Sequence, residues 1–183
     1  MSSFQIALAI LAGQCVVGWT NDLIDSKLDQ EAKRTKKPLV YGSISEVMLK
    51  RAILVALLIA LFLSLAGPLG VKGTLIHFLG LLSATFYNFG LKKTIFSALP
   101  YVVSFGALPW AIYLSNGNRP PNWIFLGFIS FASAFHFLNV LKDFDIDVSQ
   151  GVMGLPQRLG RNGSIGIAVA LVITGVADVT FGR

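Results

Sequence analysis

Apolar positions along this chain fall in long, unbroken runs rather than in alternation. Six stretches, at about 4–20, 47–66, 73–91, 95–114, 123–141 and 163–181, approach the roughly 20 residues a helix needs to cross a bilayer's hydrocarbon core. Barrel strands are short and alternate polar with apolar residues. The pattern therefore predicts an all-α, polytopic membrane helix bundle of about six transmembrane helices, with residues 1–183 forming one domain. Gly, Ser and Thr inside several runs suit the close helix contacts that membrane bundles use.

Polar residues collect between the runs, and two of these collections are copies of each other. Asn21, Asp25, Asp29 and Pro38 recur as Asn139, Asp143, Asp147 and Pro156, each shifted by 118 positions. On a helix, spacings of four bring side chains onto one face. Each copy thus presents an amide oxygen and two carboxylates as a stripe at the end of an apolar segment. Like charges at that spacing repel, and carboxylates at a helix C-terminus oppose the macrodipole. A cation would offset that cost, and hard oxygen ligands suit magnesium, which takes one or two carboxylates plus water and phosphate oxygens. The copies differ in two places. Asp22 is opposed by Val140, and Asp145 by Lys27. Asp145 falls off the shared face and reads as solvated, whereas Asp22 stays a candidate ligand. Ionisable residues at a membrane segment's edge are read first as a functional site.

Composition narrows the classes. Hydrophobic residues make up 54% of the chain and charged ones 13%, against about 25% charged in a soluble domain. A net charge of +6 would suit nucleic acid, but its placement argues against that partner. Twelve basic residues lie on the loops after the first, third and fifth runs, and three on the alternate side. The positive-inside rule assigns the richer side, which carries both acidic motifs, to the cytoplasm. Cys15 is the only cysteine, so no disulfide framework or thiolate metal site is expected. No cleavable signal is evident, because the start lacks a basic n-region and the first run ends in Asn-Asp. His77 and His136, isolated in apolar segments, read as helix-packing hydrogen-bond partners. There is no GxxxxGK[ST] loop to indicate a nucleotide. Basic residues near the carboxylates (Lys33, Arg34, Lys37, Lys92 and Arg158) fit a diphosphate held between metal and Lys/Arg.

These residues resemble the UbiA-type intramembrane prenyltransferase superfamily, in particular its 4-hydroxybenzoate polyprenyltransferase-like members. The first signature, NDxxDxxxD, matches Asn21-Asp22-x-x-Asp25-x-x-x-Asp29. A basic-proline element matches Arg34-Thr35-Lys36-Lys37-Pro38, and a Tyr-plus-Lys element matches Tyr87 and Lys92. The second signature matches Asp143, Asp147, Gly151 and Leu155-Pro156-Gln157-Arg158-Leu159-Gly160. The resemblance implies a multi-pass membrane enzyme that transfers an isoprenoid chain from a prenyl diphosphate to an aromatic or other lipophilic acceptor. Mg2+ would be its cofactor, and its active-site loops would be cytoplasmic. It implies metal ligation by Asn21, Asp22, Asp25, Asp29, Asn139, Asp143 and Asp147. Substrate binding would fall to Lys33, Arg34, Lys37, Tyr87, Lys92 and Arg158, and catalytic roles to Asp25, Asp143, Lys92 and Tyr87. Phe86, Phe89, Phe131, Phe135 and Phe137 are candidates for an aromatic cavity wall. Alternatives are phosphoribosyl transfer to a polyprenyl phosphate, and a non-enzymatic intramembrane cation-binding or transport protein. Family members usually have nine transmembrane helices. Against that pattern the chain is expected to lack one helix before the first signature and two after residue 183, and to transfer little on its own.

Overall fold

The computed structural model describes residues 2–32 and 37–182, and among them there are helices and turns but no strands. Six helices are long: α1 (Ser2–Ile24), α4 (Glu46–Leu65), α5 (Gly70–Asn88), α6 (Leu99–Ser115), α7 (Asn122–Val140) and α9 (Leu155–Phe181). Three short ones intervene: α2 (Ser26–Glu31), α3 (Pro38–Tyr41) and α8 (Phe144–Ser149). Each expected apolar run thus lies largely within one long helix. Among the described residues, α1, α4, α7 and α9 are long and apolar enough to cross a membrane, while α6 is shorter. α5 falls outside that group because Lys72, Thr74, His77 and Asn88 dilute its apolar character. The protein is a polytopic membrane helix bundle.

The helices pack in chain order: α1 along α4 and α5, α5 along α6, α6 along α7, and α7 along α9. Outward faces carry exposed Leu54, Leu58 and Phe62 on α4, and Val169, Ile173 and Val176 on α9. A soluble monomer would not expose such apolar faces, whereas a lipid-facing helix does. Inside, polar side chains bridge helices. Ser104 Oγ donates to Gly80 O across α6 and α5 at 2.9 Å, and Asn88 Nδ2 donates to Val17 O on α1 at 3.1 Å. Ser64 Oγ and His77 Nδ1 pair at 3.0 Å between α4 and α5. The α5–α6 approach depends on glycine: a Cβ at Gly73 would come 2.7 Å from Ala111 O.

The sequence repeat is also a structural one. Shifted by 118 positions, α2 falls on α8 end for end, and Pro38 at the start of α3 falls on Pro156 at the start of α9. Gly42 ends α3 with φ 79°, and Gly160 kinks α9 with φ 75°. Both are conformations that glycine adopts without steric cost. After them come the long α4 and the long remainder of α9. Each half is therefore a helix, a short helix bearing aspartates, a proline turn, a left-handed glycine and a second long helix packed back on the first.

Candidate active site

Both acidic motifs are broken at their middle aspartate. α1 stops at Ile24 and α7 at Val140. Asp25 (φ −85°, ψ 0°) and Asp143 (φ −111°, ψ 12°) then stand immediately before α2 and α8. The expected straight helical stripe is thus two helices joined at a bend. Short polar side chains compete for backbone partners, and like carboxylates repel, both of which weaken a helix at this place. In the first copy the four-residue hydrogen bonding survives the bend, whereas in the second Asp143 N–H donates to Val140 O at 3.2 Å and the spacing resumes only after Asp143. Asp25 N–H donates to Asn21 O at 2.9 Å and Asp29 N–H to Asp25 O at 2.8 Å, while Asp147 N–H donates to Asp143 O at 2.8 Å.

The two motifs line one cavity of about 350 Å3, within the range of small-molecule sites. Asn21, Asp25 and Asp29 from the first motif and Asn139, Asp143 and Asp147 from the second are all in its lining. Tyr87 from the end of α5 and Lys92 from the 3-10 turn Leu91–Lys93 complete the polar rim. Deeper along the helices the lining becomes aromatic, with Tyr101, Phe105, Phe135 and His136. Of the other aromatic candidates, Phe86 and Phe89 are exposed, and Phe137 is buried in helix packing. Phe131 would meet a Cβ at Gly175 on α9.

Four of the motif carboxylates have a defined neighbour. Lys92 Nζ donates to Asp25 Oδ1. Gln157 Nε2 donates to Asp147 Oδ2 at 2.9 Å. Lys37 Nζ reaches Asp29 Oδ2 at 2.9 Å and Asp22 Oδ1 at 2.7 Å. Burial alone would push the Lys37 ammonium below 10.5, but hydrogen bonds and charges from the two aspartates outweigh it, so its pKa is raised. Gln150 Nε2 donates to Leu28 O at 2.9 Å, tying the second motif to the first.

Several expected residues lie elsewhere. Asp22, one position past Asn21, is turned by about 100° on the helix. It lines a separate apolar hollow with Trp19, Pro38 and Met48 rather than the cavity. Lys37 is likewise outside the cavity lining, engaged with the two aspartates. Arg158 is exposed, and its Nε donates to Met153 O at 2.9 Å. Asp145, read as solvated, pairs at 2.8 Å with Arg161 on the surface. Lys33 and Arg34 lie outside the described residues. Gln157, Gln150, Tyr101 and Asn88 were not singled out from the sequence. Gln157 alone had a signal, because it follows the repeated proline Pro156 just as Lys37 precedes Pro38.

As a cation site, the rim offers only oxygen donors of the hard type. No three His, Cys, Asp or Glu side chains among the described residues stand close enough to share one ion. Magnesium, which binds through one or two carboxylates plus water and phosphate oxygens, needs no such group. An acidic and basic rim over an aromatic chamber can hold a molecule with a charged head and an apolar body. No curated protein and no solved structure matches the chain. A family model described as the UbiA prenyltransferase family matches residues 2–182, almost the whole length, and the chain belongs to that family.

Proposed function

We propose that this protein transfers an isoprenoid group, with Mg2+, from a prenyl diphosphate to an aromatic or other lipophilic acceptor within the membrane. Family membership supports prenyltransferase-type activity in general. The observation that carries the finer reading is the convergence of both aspartate motifs, Lys92 and Tyr87 on one cavity whose depth is aromatic. Asn21, Asp25 and Asp29 would hold magnesium on one side, and Asn139, Asp143 and Asp147 on the other. Held there, magnesium would offset the negative charge of a diphosphate leaving group. Lys92 supplies an ammonium beside Asp25 to bind diphosphate oxygens, and Tyr87 adds a hydroxyl at the same rim. Seated in the membrane, the chamber would shield an allylic carbon carrying positive charge from water, and its ring faces would favour that charge. The basic loops support a rim that faces the cytoplasm.

Calorimetric titration of geranyl diphosphate with Mg2+ tests the reading. Asp25→Asn and Asp143→Asn should each weaken magnesium-dependent binding at least about tenfold, the scale of one charge-assisted contact. Asp145→Asn, on an exposed pair, should change it less than about twofold. If Asp145→Asn were the most damaging of the three, the proposed ligand set would be wrong.

A further inference from the structure

Three residues before Asn139, α7 carries a side chain that the repeat does not call for. His136 is fully buried and lines the cavity. Its counterpart one repeat earlier is Gly18, where a Cβ would meet nothing within 4 Å. The repeated framework is therefore built without a side chain at this place, and the imidazole serves something other than that framework. Burying its polar nitrogens costs free energy unless each finds a partner. Nε2 has one in Ser97 Oγ, at 3.2 Å. Ser97 Oγ in turn accepts the Leu155 N–H at 2.9 Å, which fixes the hydroxyl and with it the ring. Nδ1 has no hydrogen-bond partner among the described residues. The imidazole is flanked by rings, with Tyr101 at 4.5 Å and Tyr87 edge-on at 5.8 Å between centroids.

We propose that His136 is the residue that selects the acceptor: its Nδ1 hydrogen-bonds a hydroxyl on an aromatic guest seated among Tyr87, Tyr101 and Phe105. The inference rests on the transferase reading for the identity of the guest. A phenol-type hydroxyl both donates and accepts, so it satisfies Nδ1 in either neutral tautomer. An aromatic body matches the chamber, and a hydroxyl matches the orphaned His136 Nδ1. Anchoring that hydroxyl fixes which ring carbon faces the diphosphate rim, so His136 governs both acceptor choice and the position of attachment.

Binding of 2-naphthol and of naphthalene to the full chain in lipid nanodiscs tests this, with empty nanodiscs subtracted. The wild type should prefer 2-naphthol about tenfold, or about 1.4 kcal/mol. His136→Gln sets an amide near Nε2, keeps the reach to Ser97 and places nothing at Nδ1, so the preference should vanish. His136→Asn sets a polar atom near Nδ1 and gives up Ser97, so the preference should persist to within about threefold. The opposite ranking, or a wild type without preference, overturns the proposal and leaves His136 a packing residue. Magnesium-dependent binding of geranyl diphosphate to the same samples separates the two readings. Loss of donor binding alongside an intact naphthol preference would sink the transferase reading and leave the His136 site standing.

Discussion

Asp29 and Asp147 occupy equivalent positions, yet the chain holds them with different chemistry. Lys37, just before Pro38, reaches Asp29, while Gln157, just after Pro156, reaches Asp147. A buried carboxylate that loses a charged partner keeps its desolvation cost. Asp29 is only 4% exposed, so Lys37→Met should destabilise the protein by about 1–3 kcal/mol at pH 8, read as thermal unfolding in detergent. The pH dependence has a definite sign. Because the folded-state pKa of Lys37 is raised above 10.5, its contribution is fully present below 10.5 and fades as pH rises through the raised value. The gap between wild type and Lys37→Met should therefore be constant from pH 7 to 9 and shrink toward pH 11. A gap that widened with pH would mean that Lys37 is not held by these aspartates. From the sequence, the run of basic residues before Pro38 pointed to substrate. That Lys37 turns back on its own motif was not readable, because it depends on how α3 packs against α2.

Between elements, the repeat is carried by backbone geometry as much as by side chains. Gly42 has φ 79° and ψ 12°, and Gly160 has φ 75° and ψ 171°. The first is a left-handed conformation that an alanine tolerates at about 1–2 kcal/mol. The second lies in a region almost confined to glycine, where the cost runs up to about 3 kcal/mol. Gly160→Ala should therefore lower stability more than Gly42→Ala. Gly166→Ala, in the helical body of α9 with open space around it, should raise stability by about 0.5–1 kcal/mol. Gly160→Ala should also weaken magnesium-dependent donor binding, since the kink sets Gln157 against Asp147; equal effects of the three substitutions on unfolding temperature would contradict this. The spacing of the motifs made the faces of Asn21, Asp25 and Asp29 legible. The bends at Asp25 and Asp143 were not, because a continuous helix and a helix interrupted by one to three bridging residues look alike in the sequence pattern. His77 and His136, expected as helix-packing partners, do pair with Ser64 and Ser97, but the place of His136 at the cavity became visible only with the helices assembled.

For the whole molecule, the helix ends that carry the rim all lie at one end of the bundle. α1, α5 and α7 run toward it, and α4, α6 and α9 run away, because residues from the ends of α1, α5, α7 and α9 line the same cavity. The basic residues follow this division: Lys27, Lys50, Lys92, Lys142 and Arg158 lie near the rim end, with Lys72 and Arg119 near the other. Retention of Lys and Arg on the cytoplasmic side is the main determinant of orientation in short loops. The cavity should therefore open to the cytoplasm, which is also where water-borne diphosphates and magnesium would reach it. Single cysteines placed in a Cys15→Ser background test the assignment. Ser149, on α8 at the rim end, and Asn116, just past α6 at the other, are both exposed. In intact cells a membrane-impermeant maleimide should label Asn116→Cys and spare Ser149→Cys, and permeabilisation should make both react. Labelling of Ser149→Cys alone from outside would invert the bundle, and the rim would then face a compartment that the charge distribution argues against.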